Sequence, residues 1–114
     1  VVRRTEDLLV DWFGSAVAGH GSRPVEALTR VVMKMAPSTG PSEVMVNRAL
    51  TSPYIAAMSN AAASHVAEQD DVHNGSVFHP ATVVFSPALA MASSSSGASF
   101  ATTSPRRCSI RASR

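Results

Sequence analysis

Cysteine is nearly missing: Cys108 is the only one in 114 residues. That excludes an internal disulfide and any metal site built from several thiolates. Aromatic residues are scarce, with one Trp, one Tyr and four Phe. No apolar run approaches the roughly 18 residues of a membrane span, so no membrane partner is expected. No basic start leads into an apolar stretch and a cleavage site, so no secretory leader is expected, and a cytoplasmic location is. Residue 1 is Val rather than Met, so the chain is expected to begin inside a longer reading frame. The length allows one domain at most.

What is present points to helices. Apolar residues make up 45% of the chain, enough for a core and too many for wholesale disorder. Alanine is frequent, which suits helices that pack closely through small side chains. The net charge of +2 is unevenly spread. Residues 1–92 carry six basic and eight acidic groups, whereas residues 93–114 carry four Arg and no acid. The basic excess therefore belongs to one terminal tail, and a nucleic-acid partner is not expected.

Helix signals recur along the chain. Thr5 followed by Glu6 and Asp7 reads as a helix start. Leu8, Leu9, Trp12, Phe13, Ala16 and Val17 give it an apolar face. Gly19 and Gly21 end it. Ser22 and Pro24 open a second helix, lined by Val25, Leu28, Val31, Val32 and Met35. Residues 43–50 alternate briefly and read as extended. Ser52-Pro53 opens a thin, alanine-rich helix over about 54–68, expected in the core. Residues 69–78 are polar, with a turn at Asn74-Gly75. Pro80 opens an apolar helix over 81–92, and Pro87 should kink or split it. Residues 93–114 hold eight Ser and four Arg with no apolar periodicity, which predicts a disordered, mobile tail. The expected fold is all-α: four to five helices and a disordered C-terminal tail, divided into 1–92 and 93–114.

Chemistry-bearing residues concentrate between His65 and Pro80. His65, His73 and His79 share this stretch with Glu68, Asp70 and Asp71. Loops between rigid helices can bring such side chains together. Asp70 and Asp71 are adjacent, and if both were shielded, repulsion would raise one pKa and suit acid–base work. His79 stands at a helix start, which attracts a substrate carboxylate. Three readings stay open on residue types alone: an acid–base site, a solvated acidic turn with incidental histidines, and a histidine–carboxylate site for zinc or iron.

The order of these residues narrows the choice. His65-x-x-Glu68-Gln69-Asp70-Asp71-Val72-His73, then His79-Pro80-Ala81, then Val83-Val84-Phe85-Ser86-Pro87-Ala88-Leu89-Ala90, resembles the MmgE/PrpD family. Its pattern runs roughly H-x-x-D-F-D-D-T-H, a short loop, H-P, and an apolar V-V-x-P-A-A-L-A stretch. Leu8–Gly19 and Ala56–Ala63 are similar to its N-terminal helices, so the resemblance spans about residues 5–92. That family includes 2-methylcitrate dehydratase, cis-aconitate decarboxylase and iminodisuccinate epimerase.

The resemblance implies a partial helical domain of a cofactor-free lyase or isomerase acting on a small polycarboxylate, in the setting of propionate metabolism. It implies His79, Asp70 and Asp71 as catalytic groups, and Glu68, His73 and His65 as substrate-binding ones. It also implies no metal, no cofactor and a homodimer. Glu68 stands where the family has Asp, Gln69 replaces an aromatic and Val72 replaces Thr, which points to a different substrate. After residue 92 the expected pattern stops, as in a truncated or frame-shifted product. The alternative for those residues is a natural short tail, and the alternative function is a catalytically inactive remnant or non-enzymatic helical fragment. In either case Leu9, Phe13, Val32 and Met58 are expected to leave apolar surface in water and promote association.

Overall fold

In the computed structural model, residues 1–37 and 39–96 are described. They form helices α1 (Val2–Ala18), α2 (Arg23–Met35), α3 (Pro53–His65) and α4 (Pro80–Ser96), with short strands β1 (Ser42–Glu43) and β2 (Leu50–Thr51) between α2 and α3. The all-α expectation holds, and the described residues contain four helices.

α1 begins earlier than Thr5. Thr5 does not cap it but bonds back to Val1 O through both its N–H, at 3.1 Å, and its hydroxyl, at 3.3 Å. Only part of the expected apolar stripe is covered: Trp12, Ser15 and Ala16 are buried, while Leu9, Phe13 and Val17 stay exposed. In α2 the buried stripe is Val25, Thr29 and Val32, at 4-3 spacing. Of the expected lining, Val25 and Val32 are buried, so Val32 leaves no apolar surface in water, but Val31 and Met35, expected to face inward, are exposed. The helix is rotated so that one narrow face meets α3. Gly19 closes α1 with an ordinary φ of −75°. Its lack of a side chain matters because a Cβ there would lie 2.0 Å from Ala63 O of α3.

The extended stretch is a small hairpin, with Ser42 opposite Thr51 and Glu43 opposite Leu50. Arg48 takes a left-handed φ of 61° in its turn. Asn60 of α3, nearly fully buried, ties down this hairpin. Its Oδ1 accepts from Met45 N at 2.8 Å and its Nδ2 donates to Glu43 O at 3.0 Å. Val44 then packs with Ala56 and Ala90 in the core, and Ser42 Oγ donates to Ala90 O at 2.7 Å.

α3 is the central helix, packing against α1, α2 and α4. Ser52 Oγ accepts from Ile55 N at its start, next to Pro53 at the first helical position. It buries Ile55, Ala56, Ser59, Asn60, Ala63 and Ser64. Small side chains on two neighbouring stripes allow that close approach on several sides. It stops at His65 rather than 68, with Glu68 in the left-handed region at φ 49°.

α4 is one helix, with Pro87 inside it rather than dividing it. It also continues through Ser96, four residues into the stretch expected to be disordered. Serine hydroxyls bend back onto carbonyls of the preceding turn: Ser93 to Leu89 O, and Ser94 and Ser95 to Met91 O. Ser93 is itself buried. Residues 97–114, where the rest of the tail is expected, lie outside the described residues.

Candidate functional site

The end of α3 and the start of α4 lie side by side, joined by residues 66–79. That loop is closed by a bridge between His73 and Phe78, with His73 N donating to Phe78 O at 2.7 Å. Asn74-Gly75 falls inside the resulting turn, as its sequence predicts. The loop therefore returns His79 and Pro80 to the level of His65.

Asp70 is the centre of this corner, and its side chain has no exposure to solvent. Its Oδ2 accepts from Thr82 Oγ1 at 2.8 Å and lies 3.2 Å from His65 Nδ1, within hydrogen-bond reach. His79 Nδ1 stands at ion-pair distance, also 3.2 Å, but without the direction of a hydrogen bond. The two imidazoles meet edge to face, with centroids 4.5 Å apart. Thr82 Oγ1 also lies 3.1 Å from Ser64 Oγ, whose hydroxyl reaches the Ala61 carbonyl one turn back at 3.0 Å.

Burial by itself disfavours the Asp70 carboxylate. The Thr82 and His65 hydrogen bonds, the Asp70 backbone N–H and the nearby His79 outweigh it, and hold its pKa below the ordinary value. The sequence-based expectation of a raised pKa for one member of a repelling pair does not apply to Asp70, because the two carboxylates point to different tasks. Asp71 Oδ1 accepts from Ala81 N at 2.9 Å and caps α4. Histidine at position 79 offers that helix start no carboxylate, and Pro80 has no N–H to give. A carboxylate from the loop fills the role.

The six expected site residues thus separate. Asp70, His65 and His79 converge. Asp71 sits beside them as a cap. Glu68 is exposed at the end of α3, and His73 is exposed with its Nδ1 3.0 Å from Ser76 Oγ. The structure does not bring these last two into the Asp70 hydrogen-bond set. Thr82 and Ser64 do belong to it, and neither was expected. Their signal in the sequence is a hydroxyl on an otherwise apolar helix face, next to a histidine or one turn after His79-Pro80.

The family model of the MmgE/PrpD N-terminal domain matches residues 1–104. The match runs past residue 92, where the resemblance was expected to stop. No curated protein and no solved structure matches the chain. Among the described residues, no helix is long and apolar enough to cross a membrane.

Proposed function

The chain belongs to the MmgE/PrpD family through its N-terminal domain, and on that premise we propose that the Asp70 corner serves acid–base chemistry in a lyase or isomerase acting on a small polycarboxylate. The observation that carries this reading is the placement of His79. It is part-exposed and held 3.2 Å from a buried, ionised carboxylate at the mouth of a helix N-terminus. A carboxylate at that distance favours the charged ring that forms when the imidazole takes a proton.

In a reaction of the 2-methylcitrate dehydratase kind, His79 takes the proton from the carbon next to a substrate carboxylate. The electron pair left behind forms the carbon–carbon double bond, and the hydroxyl on the neighbouring carbon takes a proton returned by the protonated His79 ring and leaves as water. Asp70 and His65 hold His79 in place, Asp71 fixes the start of α4, and Glu68 and His73 at the rim contact substrate. Proton transfer of this type calls for no cofactor. A homodimer accords with the exposed apolar residues Leu9, Val10 and Phe13 of α1.

A second reading rests on charge. Residues 49–105 contain no Arg or Lys, so the stretch holding the site offers no cation to a polycarboxylate, which charge-assisted pairs would normally hold. On this reading the 114-residue chain is inactive by itself. One experiment separates the two: incubation of the chain with 2-methylcitrate, citrate or cis-aconitate in D2O, followed by NMR for deuterium exchange and product. Turnover lost in His79→Ala supports the first reading. Absence of exchange and product supports the second. Turnover unchanged in His79→Ala would sink the assignment of His79.

A further inference from the structure

The loop that returns His79 to the end of α3 turns at Asn74-Gly75, between the bridge partners His73 and Phe78. Ser76 N donates to His73 O at 3.1 Å across this turn, so Asn74 and Gly75 are its two central residues. Both are exposed. Neither the Asn74 side-chain amide nor the Gly75 N–H has a hydrogen-bond partner among the described residues. The two other asparagines stand differently. Asn47 Oδ1 accepts from Ala49 N at 3.0 Å, and Arg48 follows it. Asn60 is buried, uses both ends of its amide on the hairpin and is followed by Ala61. Asn74 alone combines a free amide with a following residue that has no side chain to shield its nitrogen. A Cβ at position 75 would stand 3.1 Å from His73 Cε1, so the turn is also too tight there for a larger residue without movement of that ring.

We propose that Asn74-Gly75 is a site of spontaneous self-modification, and that its product loosens the loop carrying His79. The Gly75 nitrogen attacks Asn74 Cγ, which closes a five-membered ring. The N–Cγ bond forms, the Cγ–Nδ2 bond breaks, and ammonia leaves with the proton of the Gly75 N–H. Water then opens this succinimide. Hydrolysis at Cγ gives aspartate on an ordinary backbone. Hydrolysis at the main-chain carbonyl carbon gives isoaspartate, whose backbone runs through Cγ and is longer by one carbon. That carbon enters the segment that the His73–Ser76 and His73–Phe78 hydrogen bonds close, and both bonds depend on its length. Either product adds a negative charge at the rim. The attacking nitrogen must lose its proton, so the reaction quickens as pH rises. None of this depends on turnover at the Asp70 corner.

The test follows the freshly purified 114-residue chain during incubation at neutral and mildly alkaline pH. Proteolytic peptides are read by mass spectrometry, and isoaspartate is scored with an isoaspartate methyltransferase. The Asn74 peptide should convert to aspartate and isoaspartate, faster at the higher pH, while the Asn47 and Asn60 peptides stay unchanged. Gly75→Ala should slow conversion by about tenfold or more, because the reacting atoms lose their close approach. Asn74→Gln should show no conversion over the same time, since its longer side chain must close a larger ring. The converted fraction separates by ion exchange through its added charge. Hydrogen exchange at the His73 amide should be faster in it than in the parent, and should not change with time in Asn74→Gln. Far-UV circular dichroism checks that each variant keeps its helices; should Gly75→Ala lose them, Asn74→Gln decides alone. Asn74 left intact, or converted no faster than Asn47 and Asn60, overturns the site. Equal His73 exchange before and after conversion overturns the loosening of the loop.

Discussion

Asp71 reaches across ten residues to cap the helix that begins at Pro80: its Oδ1 accepts the Ala81 N–H at 2.9 Å. Its neighbour Asp70 turns the other way, into the packed corner between α3 and α4. The adjacent carboxylates thus divide the work of fixing that corner. One holds the helix start and the other holds the side chains around it.

Replacing Asp71 by Ala leaves the Ala81 N–H without its acceptor. The loss should be about 0.5–2 kcal/mol, the usual value of an N-cap. Asp71→Asn keeps an acceptor oxygen and should lose less. Chemical denaturation of the three proteins side by side checks this; equal stability of the Ala variant and the parent would contradict the cap.

Acid should weaken the corner through Asp70. Its folded pKa is depressed, so its contribution is fully present above the unfolded value of about 4 and disappears as pH falls through the folded value. Asp70→Asn should flatten this part of the pH–stability curve and also lower stability near neutrality. Thermal melts from about pH 2 to 6 report it, and an identical acid limb in the variant would refute the assignment.

Gly19→Ala should be costly although the backbone angles there are ordinary. The new Cβ meets Ala63 O at 2.0 Å and Val66 Cγ1 at 2.8 Å, so α1 and α3 must move apart. Overpacking of this kind costs about 1–3 kcal/mol. Gly14→Ala is the control, with nothing within 4 Å of its Cβ position. It should be neutral or mildly stabilising, since Gly lowers helix propensity.

Asn60→Ala should release the hairpin. It strands Met45 N–H and Glu43 C=O and should cost about 1–3 kcal/mol. Amide exchange at Met45 should speed up in the variant before the rest of the fold opens. Unchanged protection at Met45 would show that the clamp is not what holds the strands.

The sequence by itself determined the helices and their order, because capping residues, prolines and apolar spacing act within a few residues of one another. Ser52-Pro53 and Pro80 open α3 and α4, and Asn74-Gly75 makes its turn. The order of residues from His65 to Pro80 was also enough to suggest the family. It could not decide which face of each helix is covered. The alternatives at α2 are both apolar, and only α3 lying against it selects Val25, Thr29 and Val32 over Val31 and Met35. Nor could local pattern show that α4 runs on past residue 92, since Ser93 is buried there by contacts that form only in the folded molecule. The site was legible as a set of residue types but not as a geometry. Whether His65, fourteen positions before His79, meets it depends on α3 and α4 packing side by side through small residues. That packing brings Thr82 to Asp70 and Ser64 to Thr82, turns Asp71 into a cap and leaves Glu68 and His73 at the rim, because contacts between residues far apart in the chain form only in the folded molecule.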